Sequence, residues 1–140
     1  MTGTAAGTKM ISAIVVTHGR LGNELVATAR KIIGDFSGDY SVSNEDKPPP
    51  QLTDEIEAIM EHASPDDAFI LLVDFIYGSC GHATMSVERR HRNVSIVSGV
   101  NLPIVLAFIN TRNELNFERL SSELASRGRD AIQSLDTDQL

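Results

Sequence analysis

Short apolar runs alternate along the chain with longer segments in which apolar residues recur at helical spacing. Apolar runs of five or six residues that are rich in Val and Ile are typical of buried parallel strands. Segments with an apolar residue at every third or fourth position are typical of amphipathic helices. The pattern predicts strands at residues 11–16, 40–42, 68–73 and 93–97. It predicts helices at residues 21–33, 53–63, 82–90, 102–111 and 116–135.

The start of the second helix is predicted from turn and capping signals. The segment Lys47-Pro48-Pro49-Pro50 indicates a loop, because proline has no backbone N–H to donate. Thr53 is a favourable N-cap residue, so we predict that the helix begins there.

Alternating strands and helices favour an α/β fold, with one mostly parallel sheet and helices on both of its faces. A length of 140 residues fits a single domain. We assign this domain to residues 10–135, followed by a short tail at 136–140. Residues 1–9 are small and polar, and we predict a disordered leader there.

Acidic residues outnumber basic ones, and the net charge of −7 argues against a general nucleic-acid-binding protein. The excess is local, since residues 32–75 hold eleven acidic residues and a single lysine. Such a block is either a solvated helix face or a surface that steers a charged partner.

The single cysteine, Cys80, excludes an internal disulfide and fits a reducing compartment. No apolar run reaches the roughly 18–20 residues of a membrane span, and the first ten residues lack the apolar stretch of a signal peptide. We therefore expect a cytoplasmic protein with no direct membrane insertion.

Polar residues follow two of the predicted strands. His18 lies between Thr17 and Gly19 after the first strand, and Asp74 follows the apolar run at 68–73. In parallel sheets, ligands bind beyond the carboxyl ends of the strands. If the two strands are neighbours, the Asp74 carboxylate accepts from one ring nitrogen and leaves the other as a nucleophile. A surface or helix-capping histidine and a loop-capping aspartate are the alternatives.

Gly78-Ser79 offers backbone N–H groups and a hydroxyl just before a predicted helix, which is a common way to build an anion site. His82 lies close to this segment and is a possible neighbour. The four histidines show no metal-ligand spacing, and no nucleotide-binding motif is present. We therefore expect neither a metal nor a cofactor.

Three segments together resemble the IIA domain of the mannose family of the bacterial phosphoenolpyruvate-dependent sugar phosphotransferase system (PTS). They are Ala13 to Gly19, Leu71 to Asp74 with the following Gly78-Ser79, and Val97 to Pro103. Their order and spacing agree with that family over roughly residues 10–135.

The resemblance implies a phosphoryl carrier and thus a phosphotransferase component. His18 would accept a phosphoryl group from the phosphocarrier protein HPr and pass it to a IIB component. Asp74 would orient His18, and Gly78 and Ser79 would hold phosphate oxygens. The family also implies a homodimer that exchanges a C-terminal strand. Arg89, Arg90, Arg92 and Arg112 are candidates for the rim that HPr approaches.

The loop after Asp74 departs from the usual family pattern. Tyr77, Cys80 and His82 stand where a glycine, a proline and an asparagine are usual. Two alternatives to a role in sugar uptake stay open, and the departures in the loop motivate the second of them. One is a regulatory module in which the phosphorylation state of His18 controls binding to a target protein. The other is a homologue that no longer accepts phosphate.

Overall fold

The computed structural model describes residues 10–139, so the leader predicted at 1–9 lies outside the described residues. The described part contains four strands: β1 (Ile11–Thr17), β2 (Asp39–Ser43), β3 (Ala68–Val73) and β4 (Val94–Ser98). It contains five α-helices: α1 (Leu21–Ile33), α2 (Pro49–Glu61), α3 (Ser79–Arg90), α4 (Leu102–Thr111) and α5 (Phe117–Asp130). None of these helices is long and apolar enough to cross a membrane.

All strand pairings are parallel, and the strand order is β2-β1-β3-β4. The chain winds outward from β1 to β2 in one direction and from β3 to β4 in the other. The order therefore reverses between β1 and β3, and this switch point is where parallel sheets bind ligands. The register pairs Val16 with Val73, so the residues that follow β1 and β3 leave the sheet side by side.

The two faces of the sheet carry two separate hydrophobic clusters. One face packs against α1, α4 and α5, and its centre includes Val15, Leu72 and Phe108. The other packs against α2 and α3, and its centre includes Ile14 and Leu71. Every residue of β3 is buried, which explains the unbroken apolar run in the sequence. The expected single α/β domain with helices on both faces is confirmed.

The loop predicted at residues 47–50 is wrong for its last two residues, because α2 begins at Pro49. Proline is tolerated in the first turn of a helix, where its missing N–H would have no partner anyway. Thr53 is consequently not the N-cap but a buried residue inside the helix. The third helix also begins earlier than predicted, at Ser79 rather than at His82.

The last helix ends at Asp130, five residues before the predicted Leu135. Ile132 and Leu135, two apolar residues of the predicted helix, lie beyond its end and are exposed. Among the described residues after Ala131 there is a short 3-10 turn at Thr137–Gln139 and no strand. The C-terminal strand implied by the family resemblance is therefore absent from this part of the chain.

The side chain of Asp39 is fully buried at the start of β2, at the sheet edge opposite the strand ends discussed above. Neither carboxylate oxygen has a hydrogen-bond partner among the described residues, and Arg112 Nη1 lies 3.9 Å from Oδ2. Burial raises the pKa of Asp39 from 3.8 to about 6, although the charges of Arg112 and Arg30 act in the opposite direction.

This raised pKa predicts that Asp39 makes stability depend on pH. The folded state binds the Asp39 proton more tightly than the unfolded state does. The stability gained from this proton is complete below pH 3.8, the ordinary pKa of the carboxyl group, and is lost as pH rises through about 6. In Asp39→Asn, we expect the free energy of unfolding to rise relative to wild type by up to about 3 kcal/mol between pH 4 and pH 7.

Urea unfolding at several pH values measures this difference. Asp35→Asn is the matched control, because Asp35 is exposed and should shift the free energy of unfolding by less than about 0.5 kcal/mol. Parallel pH profiles for wild type and Asp39→Asn would contradict the prediction.

Candidate functional site

The switch point brings His18 and Asp74 together, as the sequence predicted. His18 Nδ1 lies 3.1 Å from Asp74 Oδ2 and 3.2 Å from Oδ1. The backbone N–H of His18 also donates to Oδ2, at 2.9 Å. The carboxylate thus holds both the ring and the backbone of the histidine. The side chain of His18 is 43% exposed and that of Asp74 only 13%, so the ring faces solvent and the carboxylate lies behind it.

Asp74 determines which nitrogen of His18 carries the ring proton. A carboxylate accepts hydrogen bonds, so its contact with Nδ1 places the ring proton there and leaves a lone pair on Nε2. Nε2 lies close to Gly78, and a Cβ added at Gly78 would stand 2.8 Å from it. The missing side chain of Gly78 therefore leaves room beside Nε2.

The N-terminus of α3 lies beside the histidine. Gly78 is its N-cap, and Ser79, Cys80 and Gly81 form its first turn. N–H groups at a helix start lack intrahelical partners and carry partial positive charge, which favours an anion. Gly81 makes the tight loop before the helix possible, since a Cβ there would clash with the backbone carbonyl of Ile76.

Asn44 joins the three loops of the site, and the sequence analysis missed it. Its Oδ1 accepts from the N–H of Gly19 at 3.1 Å, and its Nδ2 donates to Ser79 Oγ at 3.0 Å. Because the N–H of Gly19 only donates, the orientation of the amide is fixed. Ser79 accepts through its oxygen and keeps its own proton to donate.

Thr17, Gly19, Tyr77 and His82 were also predicted to border the site, and the structure places each of them differently. Thr17 is buried and accepts from the N–H of Gly22 at 2.7 Å, which anchors the first turn of α1. Gly19 has a φ of +57°, a conformation that favours glycine. Tyr77 is exposed at the rim. His82 is exposed and lines a separate cavity of about 200 Å³ between α2 and α3.

The expectation that Arg89, Arg90, Arg92 and Arg112 line this rim is wrong. Because α3 begins at the site, Arg89 and Arg90 at its end and Arg92 just after it lie at the opposite edge of the sheet. There Arg90 Nη1 approaches Glu57 Oε2 at 3.3 Å. Arg112, at the end of α4, lies beside Asp39 at that same edge. Of the acidic residues in 32–75, Glu45 and Asp46 follow β2 at the end of the sheet that carries the site, whereas Asp66 and Asp67 precede β3 at the opposite end. The acidic block thus borders the site only in part.

His18, Asp74 and Cys80 each offer a possible metal-ligand atom, and these atoms lie within 4.8 Å of one another. Burial raises the pKa of the Cys80 thiol to about 11, and the charge of Asp74 adds to the shift. A thiol with that pKa remains protonated at neutral pH, whereas metals bind the thiolate. A metal bound at these three atoms would therefore have to displace the thiol proton of Cys80, and the absence of a metal stays a prediction.

The contact between His18 and Asp74 predicts a definite tautomer. Nitrogen-15 NMR of the neutral ring in wild type should show the proton on Nδ1. In Asp74→Ala the acceptor is lost, and we expect a mixture in which the proton on Nε2 predominates. An unchanged tautomer in Asp74→Ala would show that the carboxylate does not set the proton position.

The sequence model of a family described as "EIIA-man: PTS system fructose IIA component" matches residues 12–124. The PTS system sorbose-specific EIIA component of Klebsiella pneumoniae is 22% identical over 115 residues, which cover 82% of this chain and 84% of that protein.

Solved structures share the fold. A phosphotransferase system component EIIA from Streptococcus agalactiae has a TM-score of 0.82 and 14% identity, and the match covers 94% of this chain and 100% of that one. A mannose/sorbose-specific IIA subunit from Enterococcus faecalis has a TM-score of 0.77 and 22% identity, covering 92% and 96%. With the matched family model, these findings show that the chain belongs to the mannose-type EIIA family of the PTS.

Proposed function

We propose that the protein is a phosphoryl carrier that accepts a phosphoryl group from phospho-HPr on Nε2 of His18 and passes it to a IIB component. The observation that carries this proposal is the contact between Asp74 and Nδ1, which leaves the lone pair on Nε2 of a half-exposed ring. Membership of the EIIA family supports the choice of donor and acceptor.

The reaction exchanges one nitrogen–phosphorus bond for another. The lone pair of Nε2 forms a bond to phosphorus while the bond to the donor's histidine breaks, and the donor imidazole leaves with the electron pair. The proton on Nδ1 stays in its hydrogen bond to Asp74, which balances the positive charge that develops on the ring. Such an in-line transfer depends on positioning and on stabilising the three equatorial oxygens of the phosphoryl group.

The start of α3 supplies that stabilisation. The N–H groups of its first turn and the Ser79 hydroxyl lie beside Gly78, which lies close to Nε2. Asn44 positions the hydroxyl through its hydrogen bond to Ser79 Oγ. These N–H groups and this hydroxyl are hydrogen-bond donors that are in place before the reaction begins. Fixed dipoles of this kind lower the barrier to transfer, because they need no reorganisation. The reaction needs no cofactor held by this chain, and we place it in the cytoplasm. The expected homodimer stays a prediction.

Replacement of the nucleophile tests the proposal most simply. Incubated with phosphoenolpyruvate, the first enzyme of the system and HPr, wild type should gain one acid-labile, base-stable phosphate. His18→Ala should gain none, and His62→Ala is the matched control because His62 is exposed far from the site. Equal labelling of wild type and His18→Ala would refute the assignment of His18. No labelling of wild type would favour a homologue that no longer accepts phosphate.

Gly78→Ala tests whether transfer needs the space that glycine leaves beside Nε2 of His18. The backbone of Gly78 is extended, so alanine fits the conformation, but its Cβ would stand 2.8 Å from Nε2. We expect transfer to His18 to fall by about 100-fold or more, since misplacement of a reacting group by about 1 Å has that effect.

The thermal midpoint of Gly78→Ala should stay within a few degrees of wild type, because the atoms nearest the new methyl group belong to the half-exposed His18 ring. Circular dichroism during heating provides this control. Transfer at the wild-type rate would contradict the proposed role of Nε2.

A further inference from the structure

Two large aromatic side chains stand exposed at the rim of the site. Tyr77 is 85% exposed and Phe75 is 55% exposed. Their rings meet edge to face, with centroids 5.6 Å apart and an interplanar angle of 66°. The chain holds only five phenylalanines and two tyrosines, so this pair places a large share of its aromatic surface in water. By contrast, Phe69 and Phe108 are buried.

The backbone that carries the aromatic pair is tied to the histidine through Asp74. The N–H of Phe75 donates to Asp74 Oδ1 at 2.8 Å, and the same oxygen lies 3.2 Å from His18 Nδ1. Tyr77 immediately precedes Gly78, which lies close to Nε2. One carboxylate therefore contacts both the histidine ring and the first residue of the loop that carries the aromatic pair.

A phosphoryl donor must bring its phosphorus atom to about 3–3.5 Å from Nε2 before transfer. A donor that is itself a protein then covers the rim beside Nε2, including the aromatic pair. Aromatic residues supply much of the binding energy of protein interfaces, and tyrosine is prominent among interface hot spots.

We propose that Phe75 and Tyr77 form a docking platform for the protein phosphoryl donor, which meets them with an apolar surface next to its phosphorylated residue. This inference rests on the proposed function. The platform determines how well the donor protein is recognised, and it takes no part in the chemistry at Nε2. A small phosphoryl donor, which touches Nε2 without covering the rim, gains nothing from it.

A comparison of two donors tests the platform. The Phe75→Ala/Tyr77→Ala double variant and wild type are phosphorylated either by phospho-HPr or by phosphoramidate, a small donor that loses ammonia as the phosphoryl group moves. We expect the double variant to lose about 30-fold in kcat/KM with phospho-HPr, mostly through a raised KM. Its rate with phosphoramidate should change less than twofold.

Tyr77→Phe should transfer nearly as well as wild type, because the ring and not the hydroxyl makes the contact. Tyr40→Ala is the matched control: Tyr40 is 44% exposed but lies on β2, away from the loop after Asp74, and its loss should leave both rates unchanged.

The possible outcomes separate the two proposals. If wild type takes phosphate from phospho-HPr and the double variant does so at the same rate, the platform is refuted and the proposed function stands. An equal loss with both donors also refutes the platform, because it would indicate a disturbed site. If phospho-HPr does not label wild type while phosphoramidate does, the proposed donor is refuted, and the platform with it.

Discussion

The hydrogen bonds between His18 and Asp74 are the interaction on which the site depends. They exist because the strand order reverses between β1 and β3, so that the ends of these two strands lie side by side. One carboxylate accepts from the backbone of His18, contacts its Nδ1, and accepts from the backbone of Phe75. The Asp74 carboxylate therefore affects three features of the site. It orients the ring of His18, it determines which ring nitrogen has the lone pair, and it contacts the start of the loop that follows β3.

The rest of the site depends on how closely the backbone after β3 approaches the His18 ring. Gly78 and Gly81 let the loop after Asp74 pass near the histidine and turn into α3 without a clash. This turn places the start of α3 close to Nε2, and the N–H groups at a helix start favour an anion. Asn44 ties the loop after β2 to both other loops, so all three strand ends are linked. The site is thus organised before any partner arrives.

Most of the fold could be predicted because its signals are local. The apolar run of β3 reflects burial on both faces, and α1 and α4 begin and end where their patterns and caps predict. His18 and Asp74 could be predicted as a pair because both directly follow buried strands. The start of α2 was missed because proline was read as a helix breaker, although a first turn tolerates it.

Other features depend on tertiary structure that residue patterns do not carry. Asn44 follows a short edge strand, and only the assembled loops show its two hydrogen bonds. Asp39 looks like an ordinary polar residue, yet its side chain is fully buried beside Arg112. The arginines at the end of α3 were placed at the wrong edge, although a helix that starts at the site must end away from it.

The orientation of His18 is tested most directly by locating the phosphate within the ring. Long-range proton–nitrogen NMR correlations of the phosphorylated, nitrogen-15-labelled protein distinguish a phosphate on Nε2 from one on Nδ1. Because Asp74 occupies Nδ1, phosphate on Nε2 of His18 is the predicted result. Phosphate on Nδ1, or on a different side chain, would contradict the assignment of Nε2 as the nucleophile.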